Sequence, residues 1–194
     1  MKKDILLSGV GGQGILSIAT VIGKAALKCG LYMKQAEVHG MSQRGGDVQS
    51  NLRISDAPIA SDLIPTAGCD LIISMEPMES LRYLPYLNKT GWVVTNEVPF
   101  INIPTYPELS AVLAEISKLP RKVVLDIEAI AKELGSVRTA NMVLLGATTP
   151  FLGIDYKHIE ESIRDIFARK GEEIVAMNLK ALAAGKALAE DKMK

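Results

Sequence analysis

The stretch Gly9-Val10-Gly11-Gly12-Gln13-Gly14 follows the apolar run Ile5-Leu6-Leu7 and opens into Ile15, Ile18, Ala19, Ile22, Ala25 and Ala26. Those six recur at i, i+3, i+4 and i+7, the spacing of one helix face, so the order reads strand, tight glycine turn, helix. A turn of this kind presents unpaired backbone N–H groups at the positive end of a helix dipole, which suits a phosphate or diphosphate. The spacing matches G-x-G-x-x-G, but three glycines also serve strand-to-helix packing with nothing bound. The strand before and the helix after them favour an anionic ligand.

Outward from the turn, Gly30 reads as a C′ glycine closing the helix, and residues 31–37 read as a second strand, which makes a parallel strand–helix–strand unit. Glu37 is the acidic residue in place to meet a ribose, although it stands further from the glycines than the usual spacing of about twenty residues. The next stretch, Glu37-Val38-His39-Gly40-Met41-Ser42-Gln43-Arg44-Gly45-Gly46-Asp47, is polar and glycine-rich. Either it is a solvated connection whose glycines serve turns, or it is a second loop beside the first. In the second case Ser42, Gln43 and Arg44 would be donors for an anion or for a partner's backbone. From Val48 the chain alternates, so Gln49, Asn51, Arg53 and Ser55 share one strand face, for which water is the expected neighbour. Pro58 and Pro65 predict an irregular segment over 59–67.

Residues 70–74 form a short apolar run suited to a central strand. Met75-Glu76-Pro77 opens a predicted helix carrying Leu81, Leu84 and Leu87, and a strand follows over 92–96, entered through Gly91. A helix over 108–118 and a strand over 123–125 continue the alternation. The expectation is an α/β fold with a mostly parallel sheet, helices on both faces and a helical C-terminal region, all within one domain over 1–194. In that last region Ile127, Ile130, Ala131 and Leu134 share a helix face closed by Gly135, residues 141–148 read as buried throughout, and Pro150 separates them from two further helices. Ile159, Ile163, Ile166 and Phe167 line one. Ile174, Met177, Ala181, Ala184 and Leu188 line the other, which is expected to pack mainly on its own sheet, another subunit being the alternative cover.

The 194 residues are 48% hydrophobic and 23% charged, with a formal net charge of zero. That balance suits a globular chain and removes the electrostatic case for nucleic acid or an anionic membrane. No apolar run approaches a membrane span, and Met1-Lys2-Lys3 runs too soon into Asp4 and the glycine turn for a signal peptide, so a cytoplasmic protein is expected. Cys29 and Cys69 suit reduced, half-buried thiols, and two cysteines cannot hold a cluster or a structural zinc without help. There is no Gly-Lys-Ser/Thr loop, no His-Glu-x-x-His and no Gly-x-Ser-x-Gly. Of the two histidines, His158 reads as a surface residue on a late helix and His39 lies at the glycine-rich loop. No residue is assigned a catalytic or metal-binding role, and the chain reads as a binding module.

The glycine turn and the His39-Gly40-Met41-Ser42-Gln43-Arg44-Gly45-Gly46 run, with Ser50-Asn51-Leu52-Arg53-Ile54, Asn141-Met142-Val143 and Leu145-Gly146-Ala147, resemble one known family. It is the gamma-type domain of the 2-oxoacid:ferredoxin oxidoreductases, and the form of the second motif resembles most the beta subunit of its indolepyruvate branch. The resemblance runs over nearly the whole length. It implies a Rossmann-like domain in an enzyme that converts a 2-oxoacid, here an arylpyruvate, and coenzyme A into an acyl-CoA, carbon dioxide and reduced ferredoxin. Thiamine diphosphate, magnesium and the iron–sulfur clusters would sit on a larger partner subunit, and ferredoxin would be reached through the complex. Gly9, Gly11, Gly12, Gln13 and Gly14 would face the coenzyme A diphosphate or the partner, with Ser42, Arg44, Gly45 and Gly46 beside them. A homodimer is a state open to the isolated chain.

Two other readings use the same turn. A stand-alone NAD(P)-binding oxidoreductase would bind dinucleotide by itself, and a small flavin-binding enzyme would be yellow. The subunit reading expects a colourless chain, inactive until its partner is added.

Overall fold

The computed structural model describes residues 1–39, 46–101 and 103–193, the side chain of His39 excepted. Along the chain lie β1 (Lys2–Val10), α1 (Ile15–Lys28), β2 (Tyr32–His39), β3 (Asp47–Ser55), β4 (Cys69–Ser74), α2 (Pro77–Arg82), β5 (Leu87–Asn96), α3 (Leu109–Ser117), β6 (Lys122–Leu125), α4 (Ile127–Glu133), α5 (Ala140–Leu152), α6 (Tyr156–Phe167) and α7 (Glu172–Lys192). The strands form one sheet in the order β2-β3-β1-β4-β5-β6. The pairs β1–β4, β4–β5 and β5–β6 are parallel, while β3 runs antiparallel to both β1 and β2.

The mostly parallel α/β fold therefore holds, with one departure. β2 runs in the direction of β1, as a strand–helix–strand unit requires, but does not lie beside it. β3 returns from β2 as a hairpin arm and enters between them, with Leu7 opposite Ser50 on β3 and Ile73 on β4. Gly30 does close α1: at φ +71° it lets Leu31 N–H reach Ala26 O and its own N–H reach Leu27 O, the paired bonds of a Schellman cap.

Side chains alternate cleanly across the sheet. Ile5, Leu7, Leu52, Ile54, Leu71, Ile73 and Val94 meet α1, α4 and α5 on one face. Leu6, Ile72 and Val93 meet Ile64 and Tyr83 on the other. Each such aliphatic side chain removed from water contributes about 1.5–3 kcal/mol before conformational entropy is set against it. The polar row of β3 does not face water. Asn51 is 1% exposed, its Oδ1 accepts from Ile64 N–H, and Arg53 donates to Ser61 O, Leu63 O and both oxygens of buried Asp4. Segment 56–68 covers this face, so a row that reads as solvated is the anchor of an irregular flap.

Prolines explain two further differences. Leu84 and Leu87 do not continue the helix from Pro77: α2 ends at Arg82, Leu84–Tyr86 makes a 3-10 turn, and Leu87 opens β5. Pro85 lacks an N–H and disfavours α-helical geometry at Leu84. Pro150 does the reverse and lies inside α5. Its missing N–H would have bonded the carbonyl of Gly146, and the Thr149 hydroxyl donates to that oxygen instead at 2.8 Å. Gly153, at φ +68°, ends α5.

Met142, Val143, Leu144, Leu145 and Ala147 are fully buried because α5 lies between the sheet and α7. α7 thus packs on α5 and not on the sheet. Its buried stripe is Val175, Asn178, Leu182, Gly185 and Ala189, with Ala181 beside it. The expected stripe, starting from Ile174 and Met177, is displaced by one residue. Close helix approach turns Gly185 inward, and a larger side chain could not occupy that contact. No helix among the described residues is long and apolar enough to cross a membrane.

Candidate functional site

The glycine turn sits at the C-terminal edge of β1, where α/β sheets receive ligands. Gly14 is the N-cap of α1 in the left-handed conformation (φ 85°, ψ 23°), with no side chain capping the helix and no acidic residue in its first turn. Ser17 N–H turns back to Gly14 O at 3.1 Å, and among the described residues the amides of Ile15 and Leu16 are left to another acceptor. Gly9 is held by close packing: a Cβ there would lie 2.7 Å from Ile15 Cδ1 and 3.1 Å from Met75 Cβ.

Four hydrogen bonds fasten the turn. Gln13 Oε1 accepts from Val10 N–H at 2.7 Å, and Gln13 Nε2 donates to Met75 O at 3.3 Å, which ties the turn to the end of β4. Gly11 N–H donates to Gly46 O at 2.9 Å, which ties it to the hairpin. Asn141 Nδ2, at the start of α5, donates to Gly14 O at 3.3 Å. Gln13 is thus engaged at both ends as a brace, and what the turn offers outward is backbone.

A cleft of about 340 Å³ opens beside Gly12, Gln13 and Gly14. Phe100 forms one wall; Val137, Arg138 and Asn141 form another, with Glu128 at the rim. Arg138 is exposed and makes no ion pair among the described residues, so its guanidinium is open to an anion. Below the cleft, Glu76 follows Met75 and is 1% exposed. Its carboxylate accepts from Glu79 N–H at 2.8 Å and from the Tyr106 hydroxyl. Burial pushes the Glu79 carboxyl up, against the opposing pull of Arg82, which it binds at 2.8 and 3.1 Å. Burial and then the Glu76 hydrogen bond raise the Tyr106 phenol, which stays a neutral donor. Larger hollows of about 420 Å³ flank Met193 against Trp92, but at the opposite edge of the sheet and away from the glycine amides.

The sequence pattern of the pyruvate ferredoxin/flavodoxin oxidoreductases matches residues 4–188. The chain belongs to that family. Indolepyruvate oxidoreductase subunit IorB of Archaeoglobus fulgidus is 39% identical over 194 residues, spanning 95% of this chain and 94% of its own. The subunit of the same name from Pyrococcus horikoshii is 39% identical over 196 residues, spanning 95% of each. Among solved structures, the 2-oxoglutarate:ferredoxin oxidoreductase from Magnetococcus marinus, with 2-oxoglutarate, coenzyme A and succinyl-CoA bound, matches with a TM-score of 0.78 at 24% identity. That match covers 98% of this chain and 31% of the longer one, and it speaks for the fold. The chain is a small subunit of the 2-oxoacid:ferredoxin oxidoreductase type, on the indolepyruvate side of the family.

In this family member the structure gathers Gly9, Gly11, Gly12, Gln13, Gly14 and Gly46 at one edge. Ser42, Gln43, Arg44 and Gly45 lie outside the described residues. Glu37 is not placed for a ribose. β3 stands between β2 and β1, which puts Glu37 about 10 Å from the turn strand, two strand spacings away. The dinucleotide reading thereby loses its acidic partner. His158 is on α6 beside Glu161 at 3.4 Å, remote from the cleft. The thiols are not half-buried alike: Cys29 is exposed, and Cys69 is buried with its thiol pushed up to about 12 by desolvation. Phe100, Arg138 and Tyr106 escaped the sequence reading. Glu76 was read as part of the opening of α2, which it caps, and Asn141 as part of a motif, but neither with a role at the site, and no spacing rule links any of these to residues 9–14.

Proposed function

We propose that this chain is the small subunit of a thiamine-dependent oxidoreductase that takes a 2-oxoacid of the arylpyruvate type, with indolepyruvate foremost, and coenzyme A to an acyl-CoA, carbon dioxide and reduced ferredoxin. Residues 1–194 act as one gamma-type domain that binds and orients coenzyme A at the edge it shares with a larger subunit. The observation that carries this reading is the cleft: the uncapped start of α1 at Gly14 and Arg138, which makes no ion pair among the described residues, line the same small space. A diphosphate fits that donor set, because backbone N–H groups and a guanidinium both favour anionic oxygens. Gly9, Gly11, Gly12, Gln13 and Gly14 shape the diphosphate side. Gly46, joined to Gly11, borders it, and Ser42, Arg44 and Gly45 are assigned to the same ligand on the strength of the motif alone.

The cleft is at the small end of the range for cofactor sites, about 300–1,000 Å³, so the rest of coenzyme A rests on the partner. Thiamine diphosphate, magnesium and the iron–sulfur clusters belong to that partner, and ferredoxin is reduced there. Two well-separated cysteines support this division, since clusters need about four thiolates. Two free thiols and these reactants also support a cytoplasmic location. The chain alone is then inactive.

Co-expression with the larger subunit tests the reading. Arg138→Ala in the assembled enzyme is expected to raise the coenzyme A KM about tenfold, the loss of one charge-assisted hydrogen bond, with kcat nearly unchanged. An unaltered KM rejects the cleft as the coenzyme A site. Turnover by the chain alone rejects the subunit role.

A further inference from the structure

The segment between β5 and α3, residues 97–108, carries Phe100 into the cleft wall and, among its described residues, holds no helix or strand. Its start is fixed. Glu97 N–H donates to Leu125 O at 3.0 Å, and Asn96 Nδ2 donates to Val98 O at 3.0 Å. Among the described residues of 99–105, none makes a hydrogen bond, and Phe100, Ile101 and Ile103 are 45%, 69% and 38% exposed. The next fixed point is Tyr106, whose hydroxyl donates to Glu76.

Glu76 is an unusual acceptor to find there. It is buried and pairs with no cation among the described residues, since Arg82 is taken up by Glu79. Its Oε2 caps α2 and its Oε1 takes the phenol. The cap alone uses one oxygen, which an uncharged side chain would supply without the desolvation of a carboxylate. The second oxygen serves segment 97–108. Glu76 also stands next to Met75, whose carbonyl receives Gln13, and Gln13 holds Val10 of the glycine turn. Ser74 Oγ, bonded to Glu76 O at 2.6 Å, fixes the same backbone. One short piece of chain after β4 therefore carries both the brace of the turn and the tether of the opposite wall.

We infer that Glu76 and Tyr106 are positioning residues for coenzyme A use: their hydrogen bond holds segment 97–108 so that Phe100 faces the Gly12–Gly14 side of the cleft at a set distance. This inference rests on the coenzyme A reading of the cleft. Tyr106→Phe removes the bond and keeps the ring, so the fold is retained. In the assembled enzyme it is expected to raise the coenzyme A KM about three- to tenfold, the loss of one hydrogen bond, while kcat and the 2-oxoacid KM stay unchanged. Chymotrypsin cleavage after Phe100 in the isolated chain quickens in the same variant, because a released segment samples the extended conformations a protease needs. Glu76→Gln, which keeps an acceptor for the phenol, shifts the KM less than Glu76→Ala.

Unchanged cleavage after Phe100 in Tyr106→Phe overturns the tether. Faster cleavage with an unchanged coenzyme A KM, while Arg138→Ala still raises it, overturns the positioning role and spares the cleft. If neither variant moves that KM, the coenzyme A assignment fails first and the inference falls with it.

Discussion

At Gly12 an added methyl group would find nothing within 4 Å, whereas at Gly185 it would sit 1.9 Å from the carbonyl oxygen of Val143. The first glycine belongs to the turn before α1 and the second to the seam between α5 and α7. In the turn the need is conformational: φ is +103° at Gly12 and +85° at Gly14, where a side chain is strained whatever the space. In the seam the backbone is ordinary helix and the need is proximity. Gly146 faces Leu182 O at 2.0 Å from its would-be Cβ, reciprocal to Gly185 and Val143, so the helices run antiparallel with backbone against backbone. Glycine costs about 1 kcal/mol in a helix relative to alanine, which the seam accepts in return for the approach. The turn thus keeps backbone open to a ligand, while the seam closes backbone against itself and secures α7 to the fold.

Substitutions can break this contrast. Gly185→Ala, and Gly146→Ala in the same way, should be the most damaging, because a methyl group that meets backbone forces the helices apart. Overpacking of this kind costs about 3 kcal/mol or more, offset by about 1 kcal/mol of helix propensity. Urea denaturation reads the loss, and a neutral Gly185→Ala would show that α7 is not held by this contact. Gly14→Ala should come next. The left-handed conformation costs about 1–2 kcal/mol, and the methyl group would displace Asn141 Nδ2, 2.7 Å away, from its bond to Gly14 O. Gly12→Ala should carry the strain without the clash and cost the fold about 1 kcal/mol. Its coenzyme A KM should rise more than its stability falls, the pattern that distinguishes turn from seam.

The smallest effect is expected on the outer layer. Lys28 and Lys24 reach Asp165 at 3.1 and 3.2 Å across the α1–α6 contact, and Lys28 foremost holds the Asp165 carboxyl below its ordinary value. A depressed carboxyl contributes stability above its unfolded value, about pH 4, and loses it as pH falls through the lower folded value. The difference in Tm between the native chain and Asp165→Asn should therefore be small at pH 7 and vanish in stronger acid. A difference that grows on acidification would contradict the pairing.

Much of the fold was legible because apolar periodicity is local. Ile18, Ile22 and Ala25 on α1, and Leu71, Ile72 and Ile73 on β4, report their burial through spacing alone. Proline was legible only as a breaker. Pro85 behaved so, but Pro150 did not, since Thr149 restored the lost acceptor contact at Gly146. Arg53 and Asn51 misled for a related reason: a polar row looks the same whether water or a flap satisfies it. At the site, the turn was legible and its surroundings were not, because Phe100, Tyr106, Arg138 and Asn141 come from three other segments that only the sheet order brings to one edge.

Residues 9–14 by themselves determined a strand, a tight turn and a helix opening on bare amides, since glycine placement and apolar spacing act over a few residues. Together with the second motif they also carried the family, because such a pair of motifs is particular to its members. Only the tertiary structure decided that β3 separates Glu37 from the turn, that α7 seals α5 through paired glycines, and that Glu76 joins both walls of the cleft. Those are contacts between distant segments, set by which faces the whole chain can bury at once, and no local pattern encodes them.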